Sequence, residues 1–196
     1  IALFIEQWAE RGELLVQIRV VALHDHHRRH GLPGNCLAFA ALPVGHTEGL
    51  RELARTAAIR VPAPVTCASA DRCAFLALEW LDFGGGGRDA ALGTALAQLH
   101  RTTAQAYGWH RDNFIGATPQ INTEAESWPR FFAQARLLPQ IERAAARSAA
   151  LRKGGESLAE KLPAFFLDYR PQASLLHGDL WHGNMAMCGN APAVFD

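Results

Sequence analysis

Lysine is almost absent from this chain. It occurs only as Lys153 and Lys161, beside 17 arginines, so the first 152 residues hold none. Any part of a site that needs a lysine before that point is excluded. An excess of charge of either sign is also lacking: Lys+Arg is 19, Asp+Glu is 19, and the formal net charge is zero. That balance argues against a nucleic-acid partner, which selects strongly basic domains. No apolar run approaches the roughly 18 to 20 residues that span a bilayer, so no membrane partner is expected. The first residues, Ile1-Ala2-Leu3-Phe4-Ile5-Glu6, lack the basic start and long apolar stretch of a secretion signal. Cys36, Cys67, Cys73 and Cys188 show no CxxC spacing. Neither a zinc site built from them nor a disulfide framework is expected, and free thiols suit a reducing, cytoplasmic setting. What is present is a globular balance. Over 196 residues, 49% are hydrophobic and 19% charged, enough for a core in one large domain or two small lobes.

The chain changes character part-way. Leu14–Val20 and Cys36–Leu42 read as strands, and so does Phe75–Leu81, which stops at Asp82. Between the first two lies His24-Asp25-His26-His27-Arg28-Arg29-His30, then Gly31, Pro33 and Gly34, which read as a solvated loop ending in turns. A histidine cluster can bind a transition metal, but no acidic or cysteine ligand of fitting spacing accompanies this one, so the loop reading is preferred. Thr47 can cap a helix starting near Glu48, with Leu50, Leu53 and Ala57 on one face, ended by Val61-Pro62-Ala63-Pro64. Gly84–Gly87 is a connection with no side chains to pack. Behind it the pattern turns helical. Leu92, Leu96 and Leu99 share a face of a helix over about Arg88–Tyr107. A polar loop covers Gly108–Glu126. Ser127 caps a second helix, with Pro129 in its first turn, running to about Ala150. A third fits Glu156–Tyr169, and short extended pieces flank a Gly189-Asn190 turn. Strands first and helices later give an α+β chain of two lobes, 1–83 and 84–196, with a ligand cleft expected between them.

The strongest chemical signal is His177-Gly178-Asp179-Leu180-Trp181-His182-Gly183-Asn184, followed by Val194-Phe195-Asp196. Asp179 and Asn184 are five apart in a loop with two glycines, so both tips can face one cavity. A tight turn at Gly189-Asn190 brings Asp196 back beside Asn184. One carboxylate and one amide oxygen then form a hard-oxygen site suited to Mg²⁺, and Asp179 is left to accept a proton from a hydroxyl. Phosphoryl transfer needs that set. A lone Asp or Asn in such a loop usually caps a turn, and a lone His is usually a core residue. Here the spacing, the residue types and the second Asp agree.

With those residues set out, the segment His177-Gly178-Asp179-Leu180-Trp181-x-Gly183-Asn184 resembles the signature of the fructosamine kinase (ketosamine-3-kinase) family, in the aminoglycoside phosphotransferase-like branch of the protein-kinase-like fold. Phe75–Leu81, Leu96–His100, Asp112–Gly116, Pro119–Asn122, Trp128-x-x-Phe131-Phe132 and Arg136-Leu137 match as well, so the resemblance covers about Glu48 to Asp196. It implies a two-lobed fold, with a small β-rich N-terminal lobe and a mainly helical C-terminal lobe. It implies ATP and Mg²⁺ as cofactors, and a small-molecule or protein-linked ketosamine as substrate. Residue by residue, Asp179 is the base acting on a sugar hydroxyl, Asn184 and Asp196 hold Mg²⁺, and Trp181 stacks on the substrate. Glu79, Trp80 and Leu81 meet the adenine, and His177 orients the loop. The Asp112–Asn122 loop lies on the substrate side with no individual roles assigned.

Two implied parts are missing. A glycine-rich loop and a strand lysine should hold the phosphates. No lysine precedes Lys153; Cys36–Leu42 stands where that strand belongs, with Phe39 or a neighbour in the lysine's place. In Gly31-Leu32-Pro33-Gly34, Pro33 removes a backbone donor. The helix glutamate that pairs with the lysine falls on His46, and Glu48 is the candidate in its stead. The family continues beyond Asp196 with further helices, so the expected fold is truncated at its C-terminus, with residues 1–45 diverged or frame-shifted. The expected activity is ATP-dependent phosphorylation of a fructosamine or ribulosamine, a deglycation step. The alternatives are a catalytically inactive pseudokinase or gene fragment, and a phosphotransferase acting on an aminoglycoside or choline-like amine. A monomer or weak homo-oligomer is expected.

Overall fold

The computed structural model describes residues 18–23, 36–70, 73–84, 89–115, 118–145 and 148–195. The His24–His30 cluster, the Gly31–Gly34 turn, most of the expected Leu14–Val20 strand, Gly85–Gly87 and Asp196 lie outside the described residues. The chain is α+β and divides into two compact units. One comprises residues 1–102 and 175–196, the other 103–174. Contacts divide at 102/103 and 174/175, and the Asp179 loop belongs to the same unit as the main sheet.

The first unit holds a three-stranded antiparallel sheet in the order β1-β3-β2, from β1 (Ile18–Leu23), β2 (Pro64–Ala70) and β3 (Cys73–Glu79). Ile18 pairs with Glu79 at one end and Leu23 with Ala74 at the other, while a bulge between Pro64 and Thr66 adjusts the register of β2. β3 is central and apolar because both of its edges are paired and Leu76 and Ala77 are buried. Helix α1 (Cys36–Arg55) and helix α2 (Asp89–Leu99) complete the core. So does the hairpin of β8 (Met185–Cys188) and β9 (Ala191–Val194). Leu50, Leu53, Ile59, Val61, Leu76, Ala95, Leu99 and Val194 form one buried cluster, with Leu92 and Leu96 packed against it. The leucine face read from the sequence in α2 is the face that is buried.

The strand expected at Cys36–Leu42 is corrected by the structure. These residues open α1, which runs unbroken through Thr47 and Glu48, so Thr47 is an interior residue and not a cap. The helix contains Pro43, and a proline inside a helix removes a ladder hydrogen bond. Burial of Leu50 and Leu53 downstream overrides that local signal. It follows that the strand beside β3 is β1, where Arg19 pairs opposite Leu78. The helix expected over Arg88–Tyr107 ends at Leu99.

The second unit contains two short pairings, β4 (Thr103–Ala104) with β7 (Ala173–Ser174), and β5 (Asn113–Ile115) with β6 (Thr118–Gln120). The expected Gly108–Glu126 loop thus carries a hairpin. Helix α3 (Trp128–Phe131) passes through a π-helical stretch, Phe132–Leu137, into α4 (Leu138–Ala145). Ser127 occupies the N-cap position without a capping side-chain bond. The single helix expected to Ala150 is instead interrupted, and α5 (Ala149–Lys161) starts afresh where Ser148 Oγ accepts from Leu151 N–H at 3.4 Å. α5 passes into a 3₁₀ turn, Leu162–Phe166, so the third helix begins earlier and ends sooner than Glu156–Tyr169. Tyr107, Phe131 and Ala135 form the buried centre, with Trp128 against them. No helix among the described residues is long and apolar enough to cross a membrane.

Candidate functional site

The loop Asp179–Asn184 is closed by its last residue. Asn184 is 6% exposed, and its Nδ2 donates to the Asp179 carbonyl at 3.0 Å and to Asp179 Oδ2 at 3.2 Å. Its backbone N–H donates to Trp181 O at 2.9 Å. One buried amide therefore fixes the exposed Asp179 and the half-exposed Trp181 together. His177 Nδ1 accepts from the Asp179 N–H at 3.4 Å. Gly178 between them has φ +96°, a conformation that side-chain-bearing residues rarely adopt.

The β8–β9 hairpin turns at Gly189, φ +62°, and pairs Met185 with Val194. The ladder then extends by one bond from Phe195 N–H to Asn184 O at 3.1 Å. The expected return of the chain to Asn184 is thus present up to Phe195, one residue short of Asp196. Asn184 turns its Nδ2 to Asp179, so its Oδ1 is the atom of this amide that a hard cation such as Mg²⁺ would take. Among the described residues no group of three or more His, Cys, Asp or Glu side chains could hold a metal ion.

The linker after β3 is tied to the same hairpin. Gly84 N–H donates to Met187 O at 3.0 Å, Gly189 N–H donates to Gly84 O at 3.1 Å, and the Phe83 and Phe195 rings stack at 4.6 Å. Glu79 ends β3. Its N–H is committed to Ala63 O at 2.8 Å, its Oε2 accepts from Ala63 N–H at 3.1 Å, and its Oε1 forms an ion pair with Arg60. Leu81 is buried, and Trp80 Nε1 donates to Asp82 Oδ1 at 2.7 Å. Arg60 reaches the hairpin as well: its N–H donates to Pro192 O at 3.1 Å and its carbonyl accepts from Val194 N–H at 2.9 Å. The unit therefore brings Glu79–Leu81 and Asp179–Asn184 onto one framework.

Glu48 lies on α1. It lines a cavity of about 120 Å³ between α1 and β2, with Thr47, Arg51, Pro64, Thr66 and Cys67, and none of the other candidate residues borders it. The sequence reading missed Arg60 and Phe83. Arg60 carried no motif, and its role is set by a partner 19 residues away. Gly183 was visible only as part of the signature.

The second unit carries its own polar cluster on the Asp112–Asn122 segment. Buried Asn122 donates through Nδ2 to Arg111 O at 3.1 Å and Asn113 Oδ1 at 2.8 Å, and its N–H donates to Asp112 Oδ1 at 2.7 Å. Arg136 donates to Asn122 Oδ1 at 2.7 Å and lies over the Phe131 ring. Burial lowers the Arg136 pKa from its ordinary value, and the Asp112 carboxylate opposes that shift.

A family profile described as fructosamine kinase matches residues 23–196. A "Probable ketoamine kinase" of Synechocystis is 40% identical over 152 residues, covering 76% of this chain and 51% of that protein. The chloroplastic protein-ribulosamine 3-kinase of Arabidopsis thaliana is 35% identical over 159 residues, 78% of this chain and 49% of that one. A crystal structure named "Putative fructosamine-3-kinase" from Thermobifida fusca is 30% identical with a TM-score of 0.69, covering 92% of this chain and 60% of its own. Another of that name from Haemophilus somnus has a TM-score of 0.71 at 22% identity, over 92% and 57%, and speaks for the fold. The chain spans about half the length of the Synechocystis and Arabidopsis relatives.

Proposed function

The chain belongs to the fructosamine kinase family, whose fold is protein-kinase-like, and from that premise we propose that it takes part in ATP-dependent phosphorylation of a ketosamine sugar hydroxyl. The observation that carries this reading is the buried Asn184 amide, which fixes the Asp179 carboxylate and the Trp181 backbone in one loop. In this reading Asp179 orients the sugar hydroxyl and accepts its proton at a carboxylate oxygen as the phosphoryl group is transferred. Trp181 supplies a face for the sugar. The Glu79 carbonyl and the backbone of Trp80 and Leu81 hold the adenine, with Glu48 the remaining nucleotide-side candidate. Asn184, through Oδ1, and Asp196 would hold Mg²⁺, which supplies charge neutralisation at the phosphates when bound. The substrate class is a fructosamine or ribulosamine, free or on a protein, and the biological role is deglycation in the cytoplasm. Free Cys67 and Cys188 are compatible with that setting.

A second reading is favoured by one specific observation, the lack of lysine before Lys153: nucleotide is bound but not turned over. Nucleotide titration with and without Mg²⁺, followed by ATP consumption on a fructosamine, separates the two. Active chain should lose about 10² to 10⁴ in turnover on Asp179→Asn. Equal turnover by that variant overturns the catalytic assignment. Mg²⁺-dependent binding without turnover selects the pseudokinase reading.

A further inference from the structure

The residues Trp181-His182-Gly183 hold an arrangement that proton transfer by Asp179 does not require. The six-membered ring of the Trp181 indole lies directly on the Gly183 backbone. A Cβ at Gly183 would sit 2.4 Å from Cζ2, 2.5 Å from Cη2 and 2.8 Å from Cε2. These atoms belong to a rigid ring, which cannot bend aside as the tip of a flexible chain can. The His182 ring stands at 80° to the indole with centroids 4.6 Å apart. Half of the Trp181 surface remains open, and His182 is exposed. Two aromatic rings at nearly a right angle make a corner. The Asn184 bonds to Trp181 O and to Asp179 fix the base of that corner to the loop carrying the proposed proton acceptor.

We propose that Trp181 and His182 form a two-walled aromatic corner that receives the sugar ring of a ketosamine, with Gly183 the positioning residue that seats the indole and His182 the residue that selects among sugars. The inference rests on the phosphoryl-transfer reading for its substrate class. A sugar ring has an apolar C–H face rimmed by hydroxyls, and the C–H face lies well on an indole. The imidazole carries both a donor and an acceptor nitrogen, so it can hydrogen-bond a hydroxyl at the rim. A single flat wall admits any ring of the right size. A second wall at right angles rejects rings whose substituents project where the imidazole stands, and so converts stacking into selection.

The test uses the whole chain, titrated with fructosyl-glycine and ribulosyl-glycine, with a non-hydrolysable Mg²⁺-nucleotide as the control ligand. Gly183→Ala should weaken both sugar ligands by about tenfold or more, the scale set by one misplaced methylene-sized contact. His182→Ala should weaken the preferred sugar by about two- to tenfold, the range of one aromatic contact, and level the preference between the two. Nucleotide affinity in His182→Ala should change less than about twofold, because His182 is not among the groups assigned to that ligand. A second readout is the Trp181 emission, isolated by difference against Trp181→Phe, which should become more quenchable by acrylamide in the Gly183→Ala background. Unchanged sugar affinity and unchanged quenching in Gly183→Ala would remove the seat. An unchanged preference in His182→Ala would remove the second wall, and this variant carries the test if Gly183→Ala does not fold. If the unsubstituted chain binds nucleotide but neither sugar ligand while Gly183→Ala still exposes the indole, the seat stands and the ketosamine reading fails.

Discussion

Asn122 shows how much one buried side chain can be made to hold. It is 3% exposed, and its amide, backbone N–H and carbonyl all have partners: Arg111 O, Asn113 Oδ1, Asp112 Oδ1, Arg136 and the Trp109 N–H. Gly108 is forced by the same residue, since at φ +128° an added Cβ would lie 2.6 Å from the Asn122 carbonyl oxygen. Asn122→Ala leaves the half-buried Arg136 guanidinium and the Asn113 amide oxygen each without one bond. An unsatisfied buried group costs about 1 to 3 kcal/mol, so the expected loss of stability is about 2 to 3 kcal/mol. Chemical denaturation monitored on the second unit checks it, and a loss below about 0.5 kcal/mol, the level of an ordinary surface substitution, would count against the network. The sequence marked Asp112–Asn122 as a segment of interest but gave none of its members a role. Arg136 joins it from 14 residues away, a pairing that no local pattern encodes.

At the scale of elements, helix α5 carries two adjacent glycines with opposite surroundings. Gly154 is exposed, and nothing lies within 4 Å of a Cβ added there. Gly155 is buried against α4, and a Cβ there would meet Ile141 at 2.5 to 2.9 Å. In a helix interior, Gly→Ala gains about 0.5 to 1 kcal/mol from reduced backbone entropy in the unfolded chain. Gly154→Ala should show that gain in full. Gly155→Ala should be net destabilising, because overpacking a tight contact costs about 1 to 3 kcal/mol and the clash involves the branch atoms of Ile141, which have little room to move. Thermal unfolding of the two variants side by side reads the sign directly; equal shifts would mean that α4 and α5 are not in close register at Gly155. Elements whose pattern agreed with their burial were legible in advance: β3 from its apolar run, α2 from its leucine face, and the β8–β9 hairpin from Gly189-Asn190. Helix α1 was not, because the apolar run Cys36–Leu42 has strand length and Thr47 has the chemistry of a cap, while the helix runs unbroken through both to the buried Leu50 and Leu53. The π-helical step at Phe132–Leu137 left no sequence mark at all.

For the whole molecule, the consequence of the observed division into units is that every described residue of the proposed nucleotide side lies in one compact unit. β3 and the β8–β9 hairpin meet in the cluster that includes Val61, Leu76, Leu99 and Val194. The signature around Asp179 was legible because its chemistry needs particular residue types at fixed spacing. Its incorporation into the sheet-bearing unit was not, since that depends on Arg60, Gly84 and Phe83 bonding or stacking across long sequence separations. A ligand that binds only the folded state stabilises it by mass action, about 2.7 kcal/mol at a hundredfold excess over its dissociation constant. If nucleotide with Mg²⁺ seats on the Glu79 carbonyl and near Asn184, that gain must appear in the amides that join these segments. The Arg60, Gly84, Val194 and Phe195 N–H groups, each bonded between linker, hairpin and loop, should therefore exchange about a hundredfold more slowly under those conditions. Leu99→Ala, which opens a cavity at a fully buried position, should raise their exchange by an amount that added nucleotide partly reverses. Hydrogen exchange of these four amides that is indifferent to saturating Mg²⁺-nucleotide would place the nucleotide away from this framework, and with it the assignment of Glu79, Leu81 and Asn184.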